Sequence, residues 1–122
     1  HIKKTSIKLI LKKYWMKLNK NRMAIEFQKK VYELCKRVPK GRVTTYKAIG
    51  DKLRTKAYRA IGTALNKNPY APKVPCHRVI NSNRSVGGFA KGINAKKKLL
   101  REEGIFINKH NKVEIKYLFR FK

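Results

Sequence analysis

The chain has 122 residues, of which 33 are Lys or Arg and 6 are Asp or Glu, so its formal net charge is +27. This length predicts one domain, and the 42% hydrophobic content suffices for one modest core. No apolar run approaches the roughly 18 residues that a membrane span requires. Because such a charge destabilises a compact state unless a polyanion relieves it, we expect nucleic acid as the partner and no membrane.

The cysteine content predicts a reducing environment. Two cysteines, Cys35 and Cys76, do not make the disulfide framework of a small secreted protein. No signal peptide is visible in the basic first residues. We therefore expect a cytoplasmic protein, associated with the nucleoid and monomeric.

Residues 1–24 contain eight Lys or Arg and no acid. Four apolar residues at helical spacing predict a basic amphipathic helix in this segment: Ile7, Leu11, Trp15 and Leu18. We expect this helix to pack on the domain. An arm facing DNA or a membrane is the alternative, and we place the boundary with the main domain, 25–122, after it.

A second helix is predicted over residues 25–38. Its apolar residues form one stripe and Pro39 ends it; the stripe consists of Phe27, Val31, Leu34, Cys35 and Val38. Since Cys35 lies on the stripe, we expect an inert buried thiol.

Two short helices follow, joined by Arg54, Thr55 and Lys56. Thr44 or Thr45 can cap the first, which runs to about Leu53, and Thr55 can cap the second, about 57–66. The residues expected to face inward are Ala48, Ile49, Leu53, Ala57, Ala60, Ile61, Ala64 and Leu65. This pattern predicts a helix-turn-helix, with an ordinary helical hairpin as the alternative. The outer face of the second helix carries small and polar residues that could approach a DNA groove: Arg59, Gly62, Thr63 and Asn66.

The rest of the chain contains the reactive residues. Three prolines between residues 69 and 75 exclude a normal helix before Cys76-His77, a candidate nucleophile and base. Asn94 is predicted to cap a final helix, about 95–103, with Ala95, Leu99 and Leu100 inward. Glu103 continues that apolar face and could orient His77, although a Cys-His pair can also be a structural coincidence. Residues 105–108 and 113–119 predict a β-hairpin.

The string Pro75-Cys76-His77-Arg78-Val79 resembles the active-site signature of the 6-O-alkylguanine-DNA alkyltransferases, also called methylated-DNA–protein-cysteine methyltransferases. Other segments between residues 25 and 107 resemble the same family: Asn68-Pro69, Arg59-Ala60-Ile61-Gly62, Gly41 to Tyr46, Val86-Gly87-Gly88-Phe89 and Glu102-Glu103-Gly104. The resemblance implies a mainly α fold with small β elements, in which a winged helix-turn-helix-like domain binds double-stranded DNA containing 6-O-alkylguanine.

The resemblance also implies roles for single residues. Cys76 accepts the alkyl group, His77 acts as base through a water, and Glu103 orients His77. Asn68 braces the active-site turn, and Tyr46 contacts the flipped base and donates to the departing guanine. Arg59 enters the base stack, and further DNA contacts are implied for Thr45, Ala57, Gly62, Thr63 and Arg78. The guanine pocket is lined by the Val79 backbone and the loop that contains Val86, Gly87, Gly88 and Phe89.

This chain departs from the family pattern in the binding loop. Phe89 stands where the family usually has Tyr, and Ala90 where it often has Ser, so two hydroxyl groups near the base are lost. We expect the N-terminal domain of the family to be reduced here to a basic arm of about 24 residues. The sequence offers no set of four metal ligands, so we expect neither a metal nor another cofactor.

Three other functions remain open at this point. A non-catalytic alkyltransferase-like sensor would flag lesions for other pathways, but that group replaces the cysteine that this chain keeps as Cys76. A winged-helix transcription regulator and a basic structural nucleic-acid binder would both use the charge without the thiol. A covalently alkylated Cys76 is expected of the repair protein alone.

Overall fold

The computed structural model describes residues 4–122 and the side chains from residue 7 onward. Its first element, helix α1, is a single helix of 34 residues, Lys4–Arg37. The predicted stripe on its C-terminal half is confirmed, because Val31 and Cys35 are fully buried and Leu34 and Val38 nearly so. Pro39 follows the end of the helix, since its ring cannot continue the hydrogen-bond ladder.

The N-terminal half of α1 does not pack on the domain, contrary to our expectation. Its apolar side chains are exposed, with Trp15 at 65% and Leu18 at 62% of their free surface. Residues 7, 9, 10 and 11 are all apolar and point around the helix, so they form no single face that the domain could cover. Helix α1 runs unbroken across residues 24 and 25.

Helices α2 and α3, Tyr46–Leu53 and Tyr58–Asn66, form the predicted pair of short packed helices. Thr45 caps α2, since its hydroxyl accepts a hydrogen bond from the Ala48 amide at 2.9 Å. Gly50 permits the close turn between the helices: a Cβ there would lie 2.6 Å from Cε1 of Tyr58 and 2.8 Å from the Thr55 carbonyl oxygen.

The start of α3 differs from the prediction. The residue at its N-cap is Ala57, and the Thr55 hydroxyl accepts from the Ala57 amide at 3.1 Å, so Thr55 lies two residues too early to cap α3. Ala57 and Ala60 are exposed, whereas Ile61, Ala64 and Leu65 are buried as predicted. The buried face of α3 is therefore narrower than predicted, because two of the three alanines expected to face inward are exposed.

A two-stranded parallel sheet joins the helical pair to the rest of the domain. Strand β1, Thr44–Thr45, pairs with strand β2, Val79–Ile80. Val79 packs in one apolar cluster with α1, α2 and α3, and Ile80 packs in a second cluster with residues from the C-terminal third of the chain, including Leu100, Ile105 and Val113. The active-site segment thus runs between the two cores of the domain.

Helix α4, Ile93–Glu102, begins two residues before the predicted start. Its N-cap residue is Gly92, whose φ of 92° suits glycine, so Asn94 lies inside the first turn and does not cap the helix. Leu100 is fully buried, and Glu103 lies at the C-cap before Gly104, as predicted.

The predicted C-terminal hairpin is reduced to one antiparallel bridge between Ile107 and Val113. Its second arm breaks into a 3₁₀ turn, Ile115–Tyr117. After it, the Phe119 amide donates to the Val43 carbonyl at 2.7 Å, and the Val43 amide donates to the Tyr117 carbonyl at 2.9 Å. The second arm of the predicted hairpin therefore forms its backbone hydrogen bonds with Val43, next to β1, and not with the first arm. The architecture is mainly helical with a small sheet, as the fold prediction states.

Candidate active site and nucleic-acid interface

The active-site turn is a 3₁₀ turn, Cys76–Arg78, that leads directly into β2. Backbone hydrogen bonds from the Cys76 amide to the Val74 carbonyl and from the Arg78 amide to the Pro75 carbonyl, both 2.9 Å, hold it. The side chain of Asn68 donates to the Val74 carbonyl at 2.7 Å and accepts from the Tyr70 amide at 2.9 Å. Asn68 therefore lies where a residue bracing this turn must be.

His77 and Glu103 meet although 26 residues separate them in sequence. Nε2 of His77, a nearly buried side chain, lies 2.8 Å from Oε2 of Glu103. This contact fixes the imidazole ring and leaves Nδ1 as the ring nitrogen for further chemistry. The predicted pairing of the active-site histidine with an acid on the apolar face of α4 is present in the structure.

The carboxylate of Glu103 is held in its ionised form. Burial would raise the pKa of Glu103, but hydrogen bonds from Arg78 and His77, together with their charges, lower the pKa to about 2. Nε of Arg78 donates to Oε1 at 2.9 Å and one terminal nitrogen donates to Oε2 at 2.8 Å. Glu103 is therefore ionised near neutral pH, and its carboxylate orients His77.

Arg78 faces the protein interior, which corrects its predicted contact with DNA. The other terminal nitrogen of the guanidinium donates to the Val38 carbonyl at 2.9 Å, at the end of α1. With 16% of its side chain exposed and both edges of the fork occupied, the guanidinium is not free to reach a phosphate. Arg78 instead ties the active-site turn to α1 and α4.

The two thiols differ in environment. Cys35 is fully buried in α1, and burial raises its pKa to about 12, with a smaller contribution from the charge of Cys76. Cys76 is half-buried at the start of the active-site turn. Because the thiolate is the nucleophilic form, Cys35 is inert near neutral pH, as we expected, and Cys76 is the accessible thiol.

A groove of about 800 Å³ runs along α3. Five of the residues predicted for base and DNA contacts line it: Tyr46, Arg59, Gly62, Thr63 and Gly88. Burial, followed by the charge of Cys76, raises the pKa of Tyr46, so its phenol stays protonated and can donate a hydrogen bond. The groove brings the outer face of α3 and the start of α2 to one surface, as the helix-turn-helix prediction requires.

The opposite wall of this groove consists of residues that we did not predict, namely Asn81, Ser82 and Asn83. The Ser85 hydroxyl accepts from Nδ2 of the Asn81 side chain at 2.9 Å and donates to Oδ1 of Asn83 at 2.7 Å. The sequence shows these residues only as a polar turn cluster. Their place opposite α3 could not be inferred, because it depends on the pairing of β1 with β2.

Several of the predicted contact residues have side chains that are buried or already hydrogen-bonded within the domain. The side chains of Val79 and Val86 are fully buried, each in one of the two cores. Thr45 is almost fully buried and its hydroxyl is used to cap α2, so its predicted contact with DNA is corrected to a structural role. Gly87, with φ of 77°, lies against the side chain of Asn81, and Phe89 is half-buried beside it in the loop. Ala57 is exposed at the start of α3.

Lys96 is a further important residue that the prediction missed. Its side chain is fully buried, and Nζ donates to the Val79 carbonyl at 2.6 Å and to the Gly88 carbonyl at 3.1 Å. Helical spacing could have indicated it, since Lys96 shares the inward face of α4 with Leu99, Leu100 and Glu103. Because lysine side chains are usually exposed to solvent, the sequence did not lead us to predict that Lys96 is buried.

Comparisons with known proteins agree on one family. A family model described as the DNA-binding domain of 6-O-methylguanine DNA methyltransferase matches residues 26–105. The methylated-DNA–protein-cysteine methyltransferase of Sulfolobus acidocaldarius is 46% identical over 81 residues, which cover 66% of this chain and 51% of that protein. The chain spans about half the length of the curated relatives that it matches.

Two solved structures resemble the fold. Mycobacterium tuberculosis OGT in complex with DNA has a TM-score of 0.61 and 40% identity, covering 63% of this chain and 48% of that one. S. pombe Atl1, in complex with damaged DNA containing O6-carboxymethylguanine, has a TM-score of 0.70 and 30% identity, covering 79% of this chain and 96% of that one. Between residues 4 and 122, no helix is long and apolar enough to cross a membrane.

Proposed function

This chain belongs to the 6-O-methylguanine DNA methyltransferase family, and on that premise we propose that it repairs DNA by transferring an alkyl group from 6-O-alkylguanine to Cys76. One observation carries the proposal. A half-buried thiol directly precedes His77, whose ring is 2.8 Å from an ionised Glu103, in a domain whose paired helices α2 and α3 line a groove.

The proposed reaction is a single displacement. His77 takes the proton of Cys76 through a water, and the thiolate attacks the carbon attached to the 6-oxygen. The sulfur–carbon bond forms as the carbon–oxygen bond breaks, and the guanine anion leaves with a proton donated by Tyr46. The product is a thioether, which nothing in the site can cleave. Each molecule therefore reacts once, and the reaction needs no cofactor or metal because the protein supplies the nucleophile.

The target base must leave the duplex before the thiol can reach it. We propose that α3 enters a DNA groove and that Arg59, exposed on its outer face, fills the gap left by the flipped nucleotide. Gly62 and Thr63 are small enough for close approach, and the Thr63 hydroxyl is turned back onto the Arg59 carbonyl at 3.0 Å. The +27 charge supplies the sequence-independent attraction that a lesion search requires.

The binding loop of this protein offers fewer hydroxyl donors to the base than the family pattern. Phe89 and Ala90 occupy the two positions, which leaves the Tyr46 phenol and backbone groups of the loop as donors. We propose weaker recognition of the base and an altered range of alkyl groups. We also propose that the protein acts as a monomer in the cytoplasm, on chromosomal DNA.

A non-catalytic lesion sensor is the second candidate, since the likeness to Atl1 covers nearly all of that chain. Both candidates bind damaged DNA, so binding does not separate them. Cys76 does, because a sensor that transfers nothing gains nothing from a thiol beside an imidazole held by an ionised acid.

Intact mass spectrometry tests the proposed function. The protein is incubated with an excess of duplex DNA that carries one 6-O-methylguanine, and an unmethylated duplex serves as the control. We expect the mass to rise by one methyl group and to plateau there, with the added mass on the peptide containing Cys76. Bound but unmodified protein would support the sensor, and turnover beyond one equivalent would contradict the proposed mechanism.

A further inference from the structure

The N-terminal half of α1, residues 7–23, has no part in the reaction proposed above. It contains six basic residues and no Asp or Glu. Several of the basic residues stand four apart, and like charges at that spacing destabilise a helix. Because this half does not pack on the domain, a partner that supplies negative charge would stabilise it. The six residues, all exposed, are Lys8, Lys12, Lys13, Lys17, Lys20 and Arg22.

This half of α1 joins the domain beside the face of α3 that is proposed to enter DNA. A groove of about 580 Å³ lies between the two helices. Ala24, Phe27 and Gln28 line its α1 side, and Arg59 and Thr63 are among the residues of α3 that line the other side. Arg59 and Thr63 also line the groove along α3 described above. The basic residues thus begin next to the surface on which the duplex is proposed to lie.

The lysines form two rows along the helix. Lys13, Lys17 and Lys20, at spacings of four and three, form one row. Lys8 and Lys12, four apart, form the other, roughly 130° away around the helix axis. Residues 7–23 extend over about 26 Å at a rise of 1.5 Å per residue, which equals the length of about seven or eight base pairs. A row of this length can follow a phosphate backbone over several nucleotides.

The apolar residues of this half favour neither a bilayer nor a second copy of the chain as the partner. Ile7 and Leu18 lie on one side of the helix. Leu9 and Met16 lie on the opposite side, so no single side is apolar enough to enter a membrane. Two copies packed through this half would bring together two sets of six positive charges without an acid. DNA, with one negative charge per roughly 1.7 Å of its axis, is the complementary surface.

We propose that the N-terminal half of α1 is a second DNA-binding element, whose lysines contact phosphates of the same duplex that α3 engages. The proposal rests on the proposed function for its choice of duplex DNA, but it does not require methyl transfer. Phosphate contacts carry no sequence information and fix the orientation of a protein on the duplex. In this division of roles, α1 holds the domain on DNA while α3 engages the bases.

Trp15 provides a direct test without any substitution. It is the single tryptophan of the chain and lies in this half of α1, with 65% of its surface exposed. The full chain is titrated with unmethylated duplex DNA, and quenching of Trp15 fluorescence by acrylamide, a neutral solute, is measured before and at saturation. We expect the quenching to fall, because the duplex covers this part of the helix. Unchanged quenching at saturation would overturn the proposal.

Two controls separate DNA from the other partners. A response of Trp15 to vesicles of phosphatidylcholine and phosphatidylserine, with none to DNA, would assign this half of α1 to a membrane and contradict the proposal. A fall in acrylamide quenching with rising protein concentration in the absence of DNA would assign it to a second copy of the chain, and would contradict the proposal equally.

Two triple variants of equal net charge extend the test to the lysines. Affinity for the unmethylated duplex is measured against salt concentration. Each phosphate contact contributes about −0.9 to the slope of log K on log salt, so loss of the longer row should make the slope shallower by about 2.7. The control should change the slope by less than about 0.9, and equal slopes in the two variants would refute the proposal. The lysines replaced by Gln are Lys13, Lys17 and Lys20 in the first variant and the exposed Lys98, Lys109 and Lys116 in the control.

The unmethylated duplex keeps this test separate from methyl transfer. If the protein takes a methyl group from DNA but the two variants have equal slopes, the proposal for α1 fails while the proposed function stands. If the protein takes no methyl group while the slopes differ as expected, the proposed function fails and the DNA-binding role of α1 stands.

Discussion

The two cysteines show how one small domain makes the same side chain inert in one place and reactive in another. Cys35 lies on the buried stripe of α1 among aliphatic side chains, and burial holds its pKa at about 12. Cys76 begins a proline-bounded turn whose next residue, His77, is fixed by an ionised Glu103. The environment of a thiol therefore follows from the backbone that carries it. The regular helix α1 buries Cys35, whereas the irregular turn leaves Cys76 partly exposed beside His77.

The largest expected effect comes from removing each thiol in turn. Cys76→Ala should abolish methyl transfer while leaving DNA binding intact, because the nucleophile is lost and the groove is not. Cys35→Ala should leave the plateau at one methyl group and cost stability alone, through a small cavity in the core. Intact mass and DNA-binding titrations check both variants. Methyl transfer to the Cys76→Ala variant would show that Cys76 is not the acceptor and would contradict the comparison of the two thiols.

The reactivity of the two thiols toward a neutral reagent should differ by about 10³-fold, since burial raises the pKa of Cys35 from 9.0 to about 12 and reduces its thiolate fraction by that factor. Iodoacetamide added to folded protein should modify Cys76 and spare Cys35, and in concentrated urea both should react at similar rates. Peptide mapping over time measures the two rates. Rapid labelling of Cys35 in folded protein would show that α1 opens far more often than its packing indicates.

Removing the base should make Cys76 behave more like an ordinary thiol. His77→Ala should slow methyl transfer at neutral pH by about 10²-fold, and the loss should shrink at high pH, where the thiol ionises unaided. His110→Ala is the matched control, because His110 is exposed on the turn before Val113. Single-turnover rates across pH give the profiles. If His77→Ala kept the wild-type profile, His77 would not be the base.

The smallest expected effect concerns stability in acid. The pKa of Glu103 is lowered from 4.5 to about 2 in the folded protein, so the stability it contributes is present above about pH 4.5 and is lost as the pH falls toward 2. The shift sets an upper bound of about 3 kcal/mol, and solvent screening at the edge of the domain reduces the contribution to about 1 kcal/mol. Urea unfolding at several pH values should show a shallower pH dependence for Glu103→Gln than for wild type. Glu102→Gln, an exposed neighbour, should retain the wild-type dependence.

Much of the helical part could be predicted from the sequence, because helix periodicity is a local signal. The stripe of α1, the cap at Thr45 and the place of Glu103 at the end of α4 follow from spacings of three and four residues. The pairing of Glu103 with His77 could be suggested because both residues stand out chemically.

The remaining features depend on contacts between distant segments, which spacing does not encode. Arg78 turns inward because the Val38 carbonyl and Glu103 are there to receive it. Lys96 is buried because two carbonyls, of Val79 and Gly88, converge on it. The second arm of the predicted hairpin bonds to Val43 because that residue offers a free backbone edge beside β1. In each case a partner elsewhere in the fold outweighs the local pattern.

Gly50 makes the packing of α2 against α3 sensitive to a single substitution. Tyr58 and the Thr55 carbonyl occupy the space where a Cβ of residue 50 would lie. The close packing of α2 against α3 therefore requires a residue without a side chain at this position. Arg59 follows Tyr58 directly, so a methyl group added at residue 50 would tilt the very residue proposed to enter the DNA stack. A substitution at Gly50 is therefore expected to weaken the proposed alkyl transfer from duplex DNA although every reacting group remains in place.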